Sequence, residues 1–317
     1  MGRNLRSFPQ DRWGVILAGG DGVRLRPLTR IIAGDDRPKQ FCPILGQETL
    51  LSQTVRRVGL AISAGRTLVV VTRAHERYYS PLLADRGPLS VVIQPENRGT
   101  APAILYALLR IAAVAPMAWV ALFPSDHYVS DDRAFMIHVD AAFEALSARP
   151  DLVALLGIRP DRPEVEYGWI EPGGLLAWQQ SSGLYSVRRF WEKPSAALAE
   201  RLLAQGCLWN SFVMVGRVPT LLWLIDRAAP DLSRVFAEIQ PALGTSAEEA
   251  AVRSLYARLP EVNFSRQVLT ASPANLAVVP MAGVRWSDWG DPGRVLTTLA
   301  HIGIRPAWAG TPSLLPV

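Results

Sequence analysis

Short apolar runs recur along the chain and are separated by segments with helical periodicity. The runs that predict buried strands are VILA at 15–18, TLVVVT at 67–72, SVVIQ at 90–94, WVALF at 119–123 and LVALLGI at 152–158. A shorter strand is predicted at 41–45, and helices at 49–62, 74–83, 101–113 and 132–146. Apolar strands alternating with helices are typical of a parallel sheet covered on both faces. We therefore predict an α/β fold with a mixed, mostly parallel sheet flanked by helices.

The sequence changes in character after residue 158. The stretch RPDRPEVEYGWIEPGG is rich in proline, glycine and acidic residues, and predicts insertion loops before an antiparallel stretch at 184–191. We expect a smaller β subdomain, at about 159–290, that walls a second substrate. The other predicted elements are a helix at 195–205, a strand at 208–215, mostly helical chain at 217–258 with a loop at 243–246, a strand at 275–281 and a helix at 292–302. Residues 1–12 are predicted to be a flexible lead-in, 13–303 one domain and 304–317 an irregular tail.

Composition narrows the class of protein. The chain has 317 residues, 49% of them hydrophobic, enough for a large buried core. No apolar run is long enough to cross a bilayer, and the basic N-terminus is not followed by the apolar segment of a secretory signal. The net charge of +5 comes from scattered arginines without a nucleic-acid motif, so we expect no nucleic acid and no membrane partner. Cys42 and Cys207 lack metal-ligand spacing and are interpreted as reduced core thiols, which predicts a cytoplasmic location.

The most informative stretch is GVILAGGDGVRLRPLTRIIAGDDRPKQ at 14–40. Gly19, Gly20 and Gly22 follow the first strand directly, where backbone N–H groups can approach an anion because no Cβ intervenes. The spacing matches neither the Walker nor the dinucleotide fingerprint. A phosphate cradle is one interpretation, and a tight connection between a strand and a helix is the other.

Cations surround this turn in the sequence. Arg24 follows on the same loop, Pro27 is expected to stop the loop from continuing as a helix, and Lys39 brings back a further positive charge. A cradle rimmed by cations suits a polyphosphate. Solvated basic residues remain the alternative.

Three polar segments each follow a predicted strand, namely GGDGVR, QPENRGTAP and PSDH. Ligands of open α/β sheets bind at the carboxyl ends of the strands, so we expect these segments to gather along one edge. Asp126, in the third segment, is a candidate magnesium ligand beside a triphosphate, since Mg²⁺ is commonly held by one or two carboxylates and phosphate oxygens. A turn or helix N-cap is the equal alternative for this residue.

The motifs L-A-G-G-x-G-x-R-L-x-P-L-T and P-K-Q-F, in this order, resemble the sugar-phosphate nucleotidylyltransferases, and within them the mannose-1-phosphate guanylyltransferases most of all. The resemblance also covers P-S-D-H, Y-G, F-x-E-K-P, W-N-S and W-S-D-W-G-D, from Trp13 to about Arg294. It implies a Rossmann-like fold of the nucleotide-diphospho-sugar transferase type, with 13–303 as the nucleotidylyltransferase domain and a sugar-binding β subdomain.

The resemblance also implies roles for particular residues. The implied catalytic residues are Arg24, Lys39 and Asp126, and the implied metal ligands are Asp126 and Asp288. Nucleotide binding is implied for Leu17, Gly19, Gly20, Gly22, Gln94, Arg98, Gly99 and Thr100. Sugar-phosphate binding is implied for Tyr167, Gly168, Glu192, Lys193 and Asn210.

Several of these residues also have ordinary structural interpretations. Thr100 could cap the helix that follows, the Glu192–Lys193 pair could be a surface ion pair, and Asp288 could be a loop residue between two packed tryptophans. Gln94 offers both a donor and an acceptor to a purine edge but does not by itself specify guanine. Asp291 is predicted to be the N-cap of the last helix.

The implied reaction transfers a guanylyl group from GTP to mannose 1-phosphate with Mg²⁺, giving GDP-mannose and pyrophosphate, and a homodimer is among the assemblies considered. Alternatives are UTP or dTTP with glucose 1-phosphate, a non-catalytic GDP-mannose-binding regulatory homologue, and a metal-dependent glycosyltransferase. The chain departs from the family pattern in a longer spacer before PKQF, in Phe212 where the family commonly has glycine, and in Ser265 where aspartate is expected. These departures bear on substrate range and assembly more than on reaction type.

Overall fold

The computed structural model describes residues 11–87, 90–179 and 182–310. The strands in these ranges are β1 (Arg12–Leu17), β2 (Thr67–Thr72), β3 (Val91–Gln94), β4 (Trp119–Pro124), β5 (Tyr128–Val129), β6 (Val153–Ile158), β7 (Gly168–Gln179), β8 (Ser182–Glu192), β9 (Leu208–Arg217), β10 (Leu276–Met281) and β11 (Trp286–Ser287). The helices are α1 (Arg26–Ala33), α2 (Leu50–Val58), α3 (Glu76–Tyr79), α4 (Thr100–Ala112), α5 (Asp132–Leu146), α6 (Ala196–Ala204), α7 (Val218–Ala228), α8 (Pro230–Ala237), α9 (Glu248–Tyr256) and α10 (Pro292–His301).

A mixed sheet organises this part of the chain, with the strand order β3-β2-β1-β4-β9-β6-β10-β8-β7. The strands β3, β2, β1 and β4 are parallel to one another. β9 runs antiparallel to both β4 and β6, while β6 and β10 are parallel. The β7–β8 hairpin extends the sheet beyond β10. The predicted α/β fold with a mixed sheet flanked by helices is confirmed.

Helices cover both faces of the sheet because its strands are apolar on both faces. Successive strand residues point to opposite sides, so Val15 packs in one buried cluster with α4, and Ile16 packs in another with α2 and α5. A third cluster joins α1 to α10 through Leu28 and Val295. This third cluster brings the last helix of the described chain against the helix that follows the glycine-rich turn.

Most predicted elements are present, with ends that differ by a few residues. The predicted lead-in and tail fall largely outside the described residues. Within the description, Arg12 already belongs to β1, and Ala307–Gly310 forms a short 3₁₀ turn. The predicted N-cap role of Asp291 is confirmed, since its side chain accepts a hydrogen bond from the Arg294 backbone N–H.

Three local predictions were wrong. Pro27 does not stop a helix but lies in the first turn of α1, where a missing N–H costs no intrahelical hydrogen bond. Residues 41–45 bury their apolar side chains without forming a strand, because Pro43 has no N–H for a ladder. The stretch 168–179 was expected to be mostly loop and is strand β7, whose register shifts around Pro172 hide the alternating pattern.

Both cysteines are free and buried, as predicted. Burial raises the pKa of Cys42 to about 12 and that of Cys207 to about 11, so both thiols stay protonated at neutral pH. None of the helices in the described ranges has the length and apolar content needed to span a bilayer.

A buried ion pair joins α2 to the start of α5. Arg57 is only 4% exposed, and its Nε lies 2.6 Å from Oδ1 of Asp132. Burial lowers the pKa of Arg57, but the adjacent carboxylate keeps the charge compensated. Removing one partner of such a pair leaves a charge that neither water nor protein compensates.

We predict that Asp132→Ala lowers the free energy of unfolding by about 3 kcal/mol, because Arg57 stays buried without its carboxylate. Urea denaturation of the two proteins measures the difference. The control is Asp231→Ala, which removes the partner of Arg234 from an ion pair whose side chains are 89% and 75% exposed. It should change stability by less than about 1 kcal/mol. Equal effects of the two substitutions would contradict the importance of the buried pair.

Candidate active site

The polar segments that follow β1, β3 and β4 lie on one edge of the sheet. These strands belong to the parallel set, so their carboxyl ends point in the same direction. Leu17 at the end of β1 is in register with Pro124 of β4, and Thr72 of β2 with Gln94 of β3. The expected convergence of the three segments is therefore confirmed. In open α/β sheets this edge is where ligands bind.

The glycine-rich turn is closely packed at two positions. A Cβ on Gly19 would lie 2.7 Å from Nε2 of Gln94, which leaves no room for a side chain. Gly22 has φ of +57°, and a Cβ there would lie 3.1 Å from the backbone nitrogen of Lys39. Gly20 has open space where a Cβ would stand. Gln40 fixes the turn by donating from Nε2 to the carbonyls of Ala18 (3.0 Å) and Gly20 (2.7 Å).

Lys39 is the buried cation of the site, only 7% exposed. Its Nζ donates to the backbone carbonyls of Asp288 and Trp289 and lies 3.3 Å from Oδ2 of Asp126. A cavity of about 290 Å³ brings together the turn, the lysine and the carboxylate, and its lining residues are Gly22, Val23, Arg24, Leu25, Lys39, Asp126 and Gly290. Gly22 and Asp126 thus face a common space.

The neighbour of Asp126 in sequence, His127, is a neutral group in this setting. Burial lowers the pKa of His127 to about 4. Its Nε2 lies 3.5 Å from Oδ1 of Asp126, and its ring packs edge-on against Trp286. Lys39 is therefore the cation nearest to Asp126 among the ion pairs of the described residues.

Asp288, the second predicted metal ligand, lies in a denser set of contacts. Its carboxylate accepts from the Tyr167 hydroxyl (2.9 Å), from the backbone N–H of Gly290 (2.9 Å) and from Nη1 of Arg294 (2.9 and 3.0 Å). Burial opposes ionisation, but Lys39 and Arg294 outweigh it and hold the pKa of Asp288 below its usual value. Asp288 is thus an ionised carboxylate that is already largely hydrogen-bonded.

The donor set fits Mg²⁺ only with help from substrate. Within the described residues, no three His, Cys, Asp or Glu side chains converge to form a metal cage. Asp126 offers a partly exposed hard oxygen donor beside the cavity, and Asp288 offers a second carboxylate if one Arg294 contact is exchanged. Mg²⁺ accepts such a set, because it usually binds one or two carboxylates together with phosphate oxygens and water.

The predicted sugar-side residues meet where β7, β8 and β9 lie side by side. Gly168 is in register with Glu192, and a Cβ on Gly168 would lie 3.2 Å from Oε2 of Glu192 and 3.3 Å from Cβ of Asn210. Burial raises the pKa of Glu192. Asn210 is 7% exposed, and its Oδ1 accepts from the backbone N–H of Phe212 at 3.1 Å. Tyr167 connects this group to Asp288 through its hydroxyl.

The segment after β3 is bonded to a distant part of the chain. Gly99 has φ of +85°, and a Cβ there would lie 2.5 Å from the Val262 carbonyl oxygen. Thr100 was considered a helix cap, and that interpretation was wrong: its hydroxyl accepts from the backbone N–H of Phe264 at 2.8 Å, and Gly99 occupies the cap position. Arg98 pairs with Glu96 at 2.7 Å.

Sequence reasoning missed several residues that hold the site together. Glu166 lies between two predicted phosphate-binding cations, with Oε2 2.9 Å from Nη1 of Arg24 and 3.3 Å from Nζ of Lys193. Gln40 was part of a recognised motif but had no assigned role, and Arg294 follows the last motif. Partners so distant in sequence leave no local signal.

The 290 Å³ cavity is not the largest one. A cavity of about 540 Å³ is lined by Trp209, Trp286, Arg162 and Arg294 among others, and no predicted catalytic residue lines it. Its arginines are largely paired with acids, as Arg162 is with Glu164 at 3.4 Å. The cavity that brings a buried lysine, a carboxylate and a glycine turn together is the stronger candidate for chemistry.

Comparisons with known proteins agree with this geometry. A profile of the nucleotidyl transferase family matches residues 13–299. The xanthan biosynthesis protein XanB of Xanthomonas campestris is 33% identical over 222 residues, which are 69% of this chain and 45% of that protein. A mannose-1-phosphate guanylyltransferase of Escherichia coli is 30% identical over 298 residues, 90% of this chain and 59% of that protein. The chain thus spans about half the length of these curated relatives.

Solved structures show the same likeness. A Thermus thermophilus protein described as a mannose-1-phosphate geranyltransferase superposes with a TM-score of 0.77 at 32% identity, covering 91% of this chain and 80% of that one. A UDP-glucose pyrophosphorylase bound to UDP-glucose gives a TM-score of 0.54 at 16% identity, covering 93% of this chain and 99% of that one, and shares the fold.

We predict that Glu166→Gln strengthens binding of inorganic pyrophosphate by about two- to fivefold, because the carboxylate no longer competes for Arg24 and Lys193. Titration calorimetry at low and high salt measures the change, which should shrink as salt screens the charges. The control is Glu238→Gln, which alters another exposed pair, with Arg258 at 2.9 Å. An unchanged pyrophosphate affinity in Glu166→Gln would rule out this competition.

Proposed function

The chain belongs to the nucleotidyl transferase family, and from this premise we propose that it transfers a guanylyl group from GTP to mannose 1-phosphate. The products are GDP-mannose and pyrophosphate. The observation that carries the proposal is the cavity in which the glycine turn, Lys39 and Asp126 meet at the carboxyl ends of parallel strands. The names of the relatives that cover most of the chain support the choice of GTP and mannose 1-phosphate.

The reaction needs positioning and charge neutralisation more than proton transfer. A phosphate oxygen of mannose 1-phosphate attacks the α-phosphorus of GTP in line. As the new P–O bond forms, the bond to the bridging oxygen breaks and pyrophosphate leaves with the electron pair. The attacking oxygen is already ionised near neutral pH, so no general base is required. The task of the protein is to hold two polyanions together despite their repulsion.

The nucleotide side supplies an oriented cation and a backbone cradle. The open space at Gly20 lets phosphate oxygens approach the backbone of the turn, and Arg24 extends from the same turn. Lys39 is held by two carbonyls and a carboxylate, so its ammonium group is already positioned before substrate binds. We assign Lys39 to the transferred phosphoryl group and Arg24 to the leaving pyrophosphate.

Magnesium is the proposed cofactor. Asp126 would hold it, with Asp288 as the second carboxylate. When bound, the ion supplies charge neutralisation at the phosphate oxygens. The carboxylates of this chain thus lie where the phosphates of both substrates would need a divalent cation.

The sugar side is proposed to bind mannose 1-phosphate. The Glu192 carboxyl group and the Asn210 amide lie beside Gly168, where the missing side chain leaves room for a ligand to reach both. Lys193 and its partner Glu166 lie at the junction with Arg24, so the sugar phosphate and the nucleotide phosphates would meet there. The division into a nucleotidylyltransferase domain at 13–303 with a sugar-side part at about 159–290 stays a prediction.

A grid of nucleotides and sugar 1-phosphates tests the proposed substrates. With Mg²⁺ present, GTP and mannose 1-phosphate should give the highest kcat/KM among GTP, ATP, UTP and dTTP combined with mannose or glucose 1-phosphate. Release of pyrophosphate is the measurement. Faster turnover of glucose 1-phosphate with UTP or dTTP would replace the proposed pair, and binding of GDP-mannose without turnover would favour a regulatory homologue.

We predict that Asp126→Ala and Lys39→Ala each lower kcat by a factor on the order of 10² to 10³, because each removes charge stabilisation at the reacting phosphates. Thermal unfolding of each variant checks that the fold survives. Asp231→Ala, which alters the exposed pair on α8, serves as the control and should retain wild-type turnover. Near-normal rates in both site variants would remove Asp126 and Lys39 from the mechanism.

A further inference from the structure

The carboxamide of Gln94 is held in one orientation at the end of β3. The side chain is only 2% exposed, and its Nε2 faces Gly19, where a Cβ would approach it to 2.7 Å. Its Oε1 accepts from the hydroxyl of Tyr256 at 3.1 Å. Within the described part of the chain, Nε2 donates to no acceptor. The amide therefore has one end bonded and one donor left over beside the glycine-rich turn.

Tyr256 is placed to hold that amide. It is the last residue of α9, is 0% exposed and packs edge-on against Phe236 at a centroid distance of 6.2 Å. Burial raises its pKa well above the ordinary value, so the hydroxyl keeps its proton at neutral pH. The other end of α9 is fixed by Glu248, whose carboxylate accepts from the hydroxyl of Tyr106 at 2.6 Å.

Hydrogen-bond satisfaction decides which way the amide points. In the described ranges, the Tyr256 hydroxyl has no acceptor other than Oε1 of Gln94. If the amide were reversed, Nε2 would donate to the hydroxyl oxygen, and the buried hydroxyl proton would have no acceptor. An unmade hydrogen bond in a buried site is costly, so the orientation with Oε1 towards Tyr256 is favoured.

We propose that Tyr256 is a positioning residue for base selection: it orients Gln94 so that Nε2 is presented to the nucleobase as a hydrogen-bond donor. Guanine, hypoxanthine, uracil and thymine carry an exocyclic oxygen that accepts from such a donor, whereas adenine and cytosine present an amino group there. The site therefore selects oxo bases over amino bases. This inference rests on the proposed function, because it takes Gln94 to lie in the nucleotide site.

The test compares Tyr256→Phe with Tyr106→Phe. Both changes remove one hydroxyl from a buried tyrosine beside α9, but only the first frees Gln94. For wild type and both variants, kcat/KM is measured with GTP, UTP, ATP and CTP at saturating sugar 1-phosphate. In parallel, calorimetry measures binding of the same nucleotides without sugar phosphate, and thermal unfolding checks the fold.

We expect Tyr256→Phe to lower the ratio of GTP to ATP, in kcat/KM and in affinity, by about tenfold, the size of one hydrogen bond. The KM for the sugar 1-phosphate should not change. Tyr106→Phe should keep the wild-type ratio even where it lowers stability. Gln94→Glu keeps an acceptor for Tyr256 but replaces the free donor by an oxygen, and it should shift preference towards ATP and CTP.

An unchanged ratio in Tyr256→Phe, or an equal change in Tyr106→Phe, overturns the inference. So does a wild-type protein that binds ATP as tightly as GTP. The binding arm separates this failure from failure of the proposed reaction: a wild-type chain that binds GTP selectively but turns over no sugar phosphate supports the role of Tyr256 and rejects the transferase activity.

Discussion

The buried ammonium group of Lys39 connects parts of the chain that are far apart in sequence. A charge withdrawn from water must be compensated, and here the Asp126 carboxylate and the carbonyls of Asp288 and Trp289 provide that compensation. The backbone nitrogen of Lys39 also lies where a Cβ on Gly22 would reach within 3.1 Å, so the glycine turn packs against the same residue. Loss of this cation would release the turn, the carboxylate and the segment before α10 together. The geometry of the candidate site depends on this compensation more than on any single strand.

The parallel half of the molecule was predictable from sequence because its strands are short, apolar on both faces and followed directly by polar motifs. The antiparallel half was less predictable: the bulged register around Pro172 disrupts the alternation that would have identified β7. Pro27 misled because a proline at a helix start looks the same in sequence as one that ends a helix. The motif residues could be placed at the sheet edge, but their partners could not. Glu166 and Tyr256 act across separations of 142 and 162 residues, where no local pattern carries information.

Backbone strain in the described chain collects beside the candidate site. The non-glycine residues with left-handed φ there are Lys193 (49°), Phe212 (61°) and Trp289 (46°), and each adjoins or contacts a proposed binding residue. Such conformations cost on the order of 1 to 3 kcal/mol each and persist only where neighbouring groups enforce them. At Phe212, where the family pattern commonly has glycine, the backbone N–H bonds to Asn210 and the ring packs against the core. The departure from the family pattern therefore preserves the turn and fixes the amide of Asn210.

The two sides of the candidate site differ in how firmly they are held. Arg24, Glu166 and Lys193 are 58%, 40% and 45% exposed in their side chains, so their mutual attraction is weak and sensitive to salt. Gln94 and Tyr256 are almost completely buried, and their hydrogen bond is neither screened by salt nor replaced by water. Phosphate binding can therefore vary with ionic conditions and tolerate change at low cost in stability. Base selection cannot vary in this way, because a change there also disturbs the contact between α9 and β3.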